Sequence, residues 1–468
     1  MPTIRSSKLF VLSALALIFA MVGLTACGEA EKEEEGMAKV RNSGQTLEEV
    51  VNAPAYSPPV VPAAGPSGFT PQTRVGFTTG DQWEPAIAAD DYGHIYILTT
   101  QYEGVPGCLE CASPTMILQV SNDRGLTWGS PTVLYREGAA GGQWDPQVTI
   151  DPLDGRTVYA SWLQNGKSDI AVAKSTDYGV TWATAIADST NAGTDKPILA
   201  VRGQEVYVAY NHAQKVWVSS SHDGGVTWTS ANVNKTGKLG WSLAGGGAIT
   251  PNGNVFFSWA GYSQNGGAKG PVYLYVSKST DRGATWTTKL IDTSGAPPDC
   301  SAYYCGWAYL GAQMTMAVDS GGTLYGLWNA GTVDKGPERI YFAKSTDSGN
   351  TWSAKAEVST APAGTSHAFP SLTAGTAGDL RISWMDSRAG ALWNTYYRSS
   401  TNSGTIWSSE VDLSTYVEGY SYIFPNGFSY PFGDYYEMDI DDQGNTHAVW
   451  GESLNYDTPG SCWYTHGR

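Results

Sequence analysis

The side chains in this sequence that could perform acid–base chemistry are carboxyl groups and a tyrosine near the starts of short apolar runs. Two carboxyl groups can donate and accept a proton across a scissile bond, and a neighbouring tyrosine can act as a nucleophile or as an acid. Four residues are therefore candidate catalytic groups: Glu84, Asp145, Asp434 and Tyr435.

Side chains that could hold a substrate lie in the same or in comparable segments of the chain. Arginine can pair with an anionic group, aromatic rings can stack on a sugar ring, and Asp and His can bond hydroxyls. The candidates of this kind are Arg136, Arg339, Arg388, Asp386, Trp83, Trp144, His367 and Tyr436. Nothing in the spacing of the three arginines requires that they meet in one pocket. The alternative is that all these groups hydrogen-bond water and one another at strand ends.

These residues belong to a chain that repeats a pattern of short strands seven times. Each unit begins with two apolar strands joined by a turn, and the pairs start near residues 82, 143, 196, 241, 312, 369 and 435. In the first six units a third strand leads into the motif Ser-x-Asp-x-Gly-x-Thr-Trp or a decayed form of it. The unbroken copies are 121–128, 175–182, 221–228, 279–286 and 345–352, and the decayed copy is 400–407.

The repeated motif predicts a β-hairpin held by its own side chains. Asp and Ser can bond the N–H groups of a tight turn, and Gly takes a backbone conformation that side chains disfavour. Thr and Trp favour the strand that follows, and the indole offers a large apolar surface for burial. Because the motif repeats and its chemistry suits a turn, we expect its Asp residues to be structural and not catalytic.

The spacing of the motifs predicts a β-propeller. The intervals between successive Asp (or Asn) positions are 54, 46, 58, 66 and 55 residues, and each holds four strands, as a propeller blade does. We therefore expect an all-β, seven-bladed propeller over residues 69–468. The seventh unit stops after three strands, so the strand predicted at 74–79 should supply its fourth strand and close the ring.

The repeated motif resembles the Asp-box, or BNR repeat, of the sialidase superfamily. Sialidases use an arginine triad for the substrate carboxylate, an Asp acid/base, and a Tyr nucleophile activated by Glu. By this resemblance Tyr435 is the nearest match to the nucleophile, with Tyr436 next, because segment 432–438 is similar in position. Two features depart from the family: the Arg-Ile-Pro motif is missing, and the predicted blades number seven where sialidases have six.

The predicted topology places the candidate site away from the Asp-boxes. In a propeller, the loops from second to third strand and from fourth to first strand share one face, which we call the loop face. The Asp-boxes join third and fourth strands, so they lie on the opposite rim. The largest inserts, 296–309 and the aromatic-rich 416–432, fall on the loop face. Their rings suit stacking on sugars or apolar peptide faces, or alternatively packing of the loop against itself.

Three functions fit this arrangement. The first is a sialidase-like protein that recognises or processes carbohydrate at the loop face, with exo-sialidase-like hydrolysis as its catalytic form. The second is a noncatalytic scaffold that binds protein in an envelope complex. The third is a polysaccharide lyase in which Tyr435 and His367 serve as acid and base. The missing Arg-Ile-Pro motif favours recognition over catalysis.

The N-terminal segment predicts export and lipidation. Residues 1–27 have a positive start and an apolar stretch too short to span a bilayer comfortably, and 24–27, ending in Cys27, resembles a bacterial lipobox. Residues 28–68 are acidic and then rich in Pro and Ala, which is typical of a flexible tether. We therefore expect a lipid-anchored protein of the bacterial cell envelope, outside the cytoplasm, at the outer membrane or cell surface.

The net charge indicates which binding partners are excluded, and the cysteine content indicates which disulfides to expect. The net charge of −16 argues against nucleic acid, which favours a basic face. No cofactor and no metal are expected, although Glu84, Asp145 and Asp434 offer the oxygen ligands that calcium prefers. An exported protein meets oxidising conditions, so we expect local disulfides and an unpaired sixth cysteine. The predicted pairs are Cys108–Cys111 and Cys300–Cys305, which leaves Cys462.

Overall fold

A computed structural model describes residues 65–468 of the protein with short internal gaps. The gaps are residues 103, 137–140, 191–192, 235–238, 240, 265–268, 298–310, 390–391, 415–422, 425–426, 429–435 and 453–460. The predicted signal segment, most of the tether and Cys27 thus lie outside the described residues. Within the described part, no helix is long and apolar enough to cross a membrane.

The described part of the chain forms seven four-stranded antiparallel sheets, which we call blades I to VII. The first strand in the chain, β1 (Thr73–Val75), belongs to the last of these sheets, blade VII. Blade I consists of β2 (Asp81–Ala89), β3 (Ile95–Tyr102), β4 (Thr115–Ser121) and β5 (Thr132–Val133). Blade II consists of β6 (Gln143–Ile150), β7 (Val158–Gln164), β8 (Asp169–Ser175) and β9 (Ala183–Ser189). Blade III consists of β10 (Thr194–Arg202), β11 (Glu205–His212), β12 (Lys215–Ser221) and β13 (Thr229–Asn232).

Blades IV to VI repeat this order. Blade IV consists of β14 (Trp241–Ile249), β15 (Val255–Gln264), β16 (Lys269–Ser279) and β17 (Thr287–Ser294). Blade V consists of β18 (Met314–Val318), β19 (Leu324–Ala330), β20 (Arg339–Ser345) and β21 (Ala356–Glu357). Blade VI consists of β22 (His367–Ala374), β23 (Leu380–Ala389), β24 (Leu392–Ser400) and β25 (Val411–Asp412). A small hairpin of β26 (Ile423–Phe424) and β27 (Gly427–Phe428) follows.

Blade VII closes the ring. It contains β28 (Tyr436–Ile440), β29 (Thr446–Glu452) and β30 (Ser461–Gly467), and β1 supplies the fourth strand by pairing with β30. The predictions of a seven-bladed propeller and of closure by an N-terminal strand are therefore confirmed. The closing strand is shorter than the predicted 74–79, because Gly76 has a φ of 82° and turns the chain out of the extended conformation.

The core lies between neighbouring blades. Five second strands each bury a tryptophan whose side chain is less than 2% exposed: Trp162, Trp259, Trp328, Trp384 and Trp450. An aromatic side chain of this size buries about 150–250 Å², which corresponds to roughly 4–6 kcal/mol of transfer free energy. Stacking of blades therefore supplies the apolar burial that one twisted four-stranded sheet cannot supply alone.

The Asp-box turns have the hydrogen bonds that their residue types predict. In the second copy, Asp177 accepts bonds from the Thr181 N–H (2.8 Å), the Thr181 hydroxyl (2.6 Å) and the Ser175 hydroxyl (2.9 Å). Gly179 has a φ of 79° and donates its N–H to Ser175 Oγ at 2.9 Å. The Trp182 indole donates to the Gly179 carbonyl at 3.0 Å. These turns join third and fourth strands, so they lie on the rim opposite the loop face.

Candidate functional site

The first strands of five blades carry a β-bulge, seen as a register shift in blades I, II, III, IV and VI. In blades I, II, III and VI the bulge holds a non-glycine residue with a φ between 47° and 55°, followed by a proline. Proline lacks an N–H, so it cannot make the ladder bond, and the bulge turns the preceding side chain toward a new direction. The bulge residues are Glu84, Asp145, Lys196 and Phe369.

Two of these bulge side chains connect consecutive blades. The Asp145 N–H donates to Glu84 Oε2 at 3.0 Å, and the Lys196 N–H donates to Asp145 Oδ2 at 3.2 Å. Glu84 Oε2 also accepts a bond from the Thr100 hydroxyl at 3.1 Å. The two predicted catalytic carboxylates therefore hold the backbone of the next blade, whatever further role they have.

Asp145 lies beside Asp195 of blade III, and the two carboxyl groups shift each other's pKa. Burial opposes ionisation of Asp145, but Lys167, the bond from Asp195 and Lys196 outweigh it and lower the pKa of Asp145. Burial and the adjacent Asp145 charge raise the pKa of Asp195 well above its ordinary value, although Lys167 opposes this. The surroundings of the pair therefore favour the ionised form of Asp145 and the protonated form of Asp195.

An aromatic ring lies beside this pair. The Lys167 ammonium lies 5.4 Å from the ring centroid of Trp144, which is half-buried at the start of β6. We call Trp144, Asp145, Lys167, Asp195 and Lys196 the blade II–III site. It combines an indole face with hydrogen-bond donors and acceptors of both charges, which is the chemistry that sugar rings and their hydroxyls require.

The distance between the two carboxyl groups limits their chemistry. Glycosidases that use two carboxylates hold them about 5–5.5 Å or 6.5–9.5 Å apart, so that a sugar or a water fits between them. Asp145 and Asp195 lie close enough to shift each other's pKa. This closeness suits recognition of hydroxyls better than cleavage between separated carboxylates.

A second polar group lies at the loop-face ends of blades V and VI. Asp386 is fully buried and accepts bonds from Arg388 Nε (2.9 Å), Arg388 Nη2 (2.6 Å) and the Trp384 indole (2.8 Å). Arg388 also pairs with Glu410, and its guanidinium lies 3.7 Å from the ring centroid of Tyr396. Arg388 is thus held by two carboxylates and a ring.

The other two candidate arginines also have acidic partners. Arg339 pairs with Glu357 and donates to the carbonyl of Ala361 at 2.8 Å. Arg136 pairs with Glu110 at 3.1 Å, and both side chains are exposed. Arg136 lies on the connection between blades I and II, whereas Arg339 and Arg388 lie at blades V and VI. An arginine triad free to receive a substrate carboxylate is not formed by these three residues.

The remaining aromatic and imidazole candidates are buried. Trp83 is 3% exposed, with its ring centroid 4.1 Å from that of Tyr102. Tyr436 is 5% exposed, and burial raises the pKa of its phenol. His367 is 1% exposed, and its ring bonds the Glu338 carbonyl and the Ser359 hydroxyl.

Other predicted residues lie outside the described part of the chain. These are Asp434, Tyr435, Cys300 and Cys305, so the nucleophile, the lyase pair and the second disulfide stay predictions. Cys108 and Cys111 form a disulfide, and Cys462 is buried on β30. Among the described residues, no group of three or more His, Cys, Asp or Glu side chains is placed to hold a metal ion.

Sequence reasoning did not assign a role to three members of the blade II–III site. Asp195 and Lys196 precede Pro197 as Trp144 and Asp145 precede Pro146, so the recurrent proline was a usable signal. Lys167 had no such signal, because it lies in a loop and meets Trp144 only through the fold.

Comparisons with known proteins address the fold. No protein-family model matches the sequence, and no curated protein matches it. A Hadza microbial sialidase structure is 14% identical with a TM-score of 0.44; the match covers 83% of this chain and 66% of the sialidase, just under two thirds of its length. An ulvan lyase, a polysaccharide lyase solved with bound -[GlcA(1-4)Rha3S]-, is 10% identical with a TM-score of 0.50. That match covers 83% of this chain and 95% of the lyase.

An intramolecular trans-sialidase from Ruminococcus gnavus is also similar. It is 15% identical with a TM-score of 0.43, and the match covers 84% of this chain and 97% of that one. Identities this low bear on architecture alone. The seven four-stranded blades of the structure show that the protein has a β-propeller fold.

Proposed function

We propose that the protein recognises carbohydrate at its loop face, with the blade II–III site at the centre of the binding surface. The observation that carries the proposal is the grouping of two neighbouring carboxyl groups, Asp145 and Asp195, with the Lys167 ammonium and the partly exposed Trp144 ring. Carboxyl oxygens can accept hydrogen bonds from sugar hydroxyls, and the adjacent indole ring can stack on the face of a sugar ring.

Recognition fits the described residues better than sialidase-type hydrolysis. Arg388 already directs Nε and Nη2 to Asp386 and Nη1 to Glu410, so a substrate carboxylate would compete with these partners for its N–H groups. Lys167, partly exposed beside Trp144, adds a positive charge to the blade II–III site that can attract an anionic sugar. The proposal includes the predicted lipid anchor at Cys27, which would present this face to glycans at the cell envelope.

A glycan array tests this proposal. The labelled full-length protein is applied to immobilised neutral and acidic oligosaccharides, alongside Trp144→Ala and Lys167→Ala. Both variants should weaken binding at least ten-fold, because they remove the ring and the cation beside the carboxyl pair. Lys174→Ala is the matched control: its ammonium also lies 5.4 Å from a ring centroid, that of Tyr159, but near the Asp-box rim. It should bind like the unaltered protein.

Two results would contradict carbohydrate recognition. One is binding that both loop-face variants leave unchanged. The other is no bound glycan on the array, combined with capture of a single stoichiometric protein partner from envelope membranes; that result would favour the scaffold function.

A further inference from the structure

A serine hydroxyl and a histidine ring lie in contact on the connection from blade V to blade VI. Ser359 Oγ is 2.8 Å from His367 Nε2. Ser359 is half-buried and precedes the exposed Thr360, whereas the imidazole beneath it has no exposed surface. Ser359 is therefore the partly exposed residue of this pair.

The tautomer of His367 is set by the backbone of blade V. Nδ1 lies 2.9 Å from the Glu338 carbonyl oxygen, and the His367 backbone N–H donates to the same oxygen at 3.0 Å. A carbonyl oxygen only accepts, so Nδ1 carries the proton. In the neutral ring Nε2 then has a lone pair, and the Ser359 hydroxyl donates to it.

The ring is neutral at ordinary pH. Burial is the main cause that lowers the pKa of His367 to about 4, and nearby Arg339 and Arg388 act in the same direction against Asp386. A neutral imidazole whose lone pair accepts a serine proton, and whose other nitrogen is held by a third group, is the arrangement of an activated nucleophile.

Further groups surround the atoms whose charge would change. The Ala361 N–H lies 3.1 Å from Ser359 Oγ and Arg388 Nη2 lies 3.4 Å from it, so both favour negative charge on that oxygen. Asp386 Oδ2 lies 3.6 Å from His367 Nε2 and would stabilise an imidazolium. Arg388 is itself fixed by Asp386 and Glu410.

We propose that Ser359 is a nucleophile activated by His367 and that the pair hydrolyses carboxylic esters of small acyl groups carried on a larger molecule. Ser359 Oγ attacks the acyl carbon while its proton moves to His367 Nε2. The ester C–O bond breaks, and the leaving alcohol takes the proton from Nε2. Water then gives a proton to Nε2 and attacks the acyl-enzyme, and Ser359 recovers its proton as the free acid leaves. Each proton and electron pair is thus accounted for without a cofactor.

The surroundings of Ser359 indicate which kind of ester could reach it. Ser359 lies on a loop that joins two blades at the loop face, where a bulky carrier molecule has access. A small acyl group suits a hydroxyl that is only partly exposed. This inference is independent of carbohydrate recognition at blades II and III, because it uses none of the same residues.

A fluorophosphonate probe, which reacts with activated serines, tests the inference on the full-length protein. Mass spectrometry of the digested protein should locate the label on Ser359, and Ser359→Ala should lose at least 90% of the labelling. Ser408→Ala is the matched control, because the Ser408 hydroxyl donates to the Ser409 carbonyl at 3.0 Å and not to an imidazole. It should label normally. Hydrolysis of p-nitrophenyl acetate should likewise be lost in Ser359→Ala and retained in Ser408→Ala.

The role of His367 has its own readouts. His367→Asn should slow labelling at least ten-fold while Ser359 remains present. In the unaltered protein the labelling rate should be constant from pH 6 to 8 and fall below about pH 4–5 as Nε2 gains a proton; this profile tests the base even if the variant does not fold. Absence of label on Ser359 in folded protein, or equal labelling after Ser359→Ala, overturns the proposal.

Discussion

Asp145 and Asp195 have the same functional group and opposite pKa shifts, because their surroundings differ. Asp145 accepts the Lys196 N–H and lies near two ammonium groups, which stabilise its charge against burial. Asp195 faces that charge and therefore keeps its proton. Two neighbouring carboxyl groups can hold opposite protonation states in this way without a metal or a cofactor.

This difference predicts unequal effects of two amide substitutions. Asp195→Asn should change the free energy of unfolding by less than about 1 kcal/mol, because the amide still donates a hydrogen bond to Asp145. Asp145→Asn should cost about 2–4 kcal/mol, because Lys167 and Lys196 lose their charged partner in a buried setting. Urea unfolding at pH 7 measures both. Equal costs, or the larger cost at Asp195, would show that the proton is not on Asp195.

At the scale of the single hairpin, the Asp-box is stabilised by its own side chains. The sixth copy keeps only part of this network: Asn402 Oδ1 accepts the Ile406 N–H at 2.8 Å, the equivalent of the Asp177–Thr181 bond. The hydroxyl bond is missing because Ile406 has no oxygen, and its side chain is 69% exposed.

Restoring the motif should stabilise the protein. The double substitution Asn402→Asp with Ile406→Thr adds a hydroxyl–carboxylate bond like the 2.6 Å bond in the second copy, and it removes an exposed apolar side chain. We expect a gain of about 0.5–1.5 kcal/mol in the free energy of unfolding. The control is Asn402→Asp alone, which supplies the carboxylate without the hydroxyl and should gain less. A loss of stability in the double variant would mean that this turn differs from the other five.

At the scale of the whole molecule, two kinds of contact join the last blade to the first. The main chain of β1 pairs with β30, and two carboxyl groups of β28 accept backbone N–H groups of β2. Glu437 Oε2 accepts from Ile87 at 3.1 Å, and Asp439 Oδ2 accepts from Ala89 at 2.9 Å. The seam is thus closed by strand pairing at the outer edge and by acidic side chains at the inner edge.

The seam predicts a pH dependence of stability. Burial is the main cause that raises the pKa of Glu437 from its ordinary value of 4.5 to about 8; bonds from Ile87 and Gln147 oppose the rise and the Asp439 charge adds to it. Because the folded pKa exceeds the unfolded one, the contribution of Glu437 to stability is fully present below pH 4.5. It is lost as pH rises toward 8.

Urea unfolding between pH 5 and 8.5 tests this dependence. Glu437→Gln, which cannot ionise, should flatten the decline and should be more stable than the unaltered protein at pH 8.5, by an amount on the order of 1–3 kcal/mol. Some decline should remain below pH 6, because burial raises the pKa of Asp439 to about 6. Glu110→Gln, at an exposed side chain, is the control and should keep the full decline. An unchanged profile in Glu437→Gln would contradict the assignment.

The sequence by itself determined the blades, their number and the closure of the ring. The residues responsible lie within a few positions of one another: the Asp-box turns within eight residues, and the strands through their own alternation of apolar side chains. Even the missing fourth strand could be located, because a seventh unit with three strands leaves an edge to be paired. The segment predicted to pair it was 74–79, and residues 73–75 make the pairing. Local hydrogen bonding and strand propensity are sufficient for such predictions.

Only the tertiary structure decided which side chains meet at the loop face. Asp195 and Lys167 reach Asp145 and Trp144 from other strands or loops, and Ser359 meets His367 because a loop folds back over a bulge strand. The three arginines illustrate the limit, since their sequence positions allow one shared pocket whereas their carboxylate partners hold them at different blades. The contacts of the blade II–III site join residues of two blades, and Ser359 meets His367 where blade V connects to blade VI, so these contacts depend on the packing of blades and not on any local pattern.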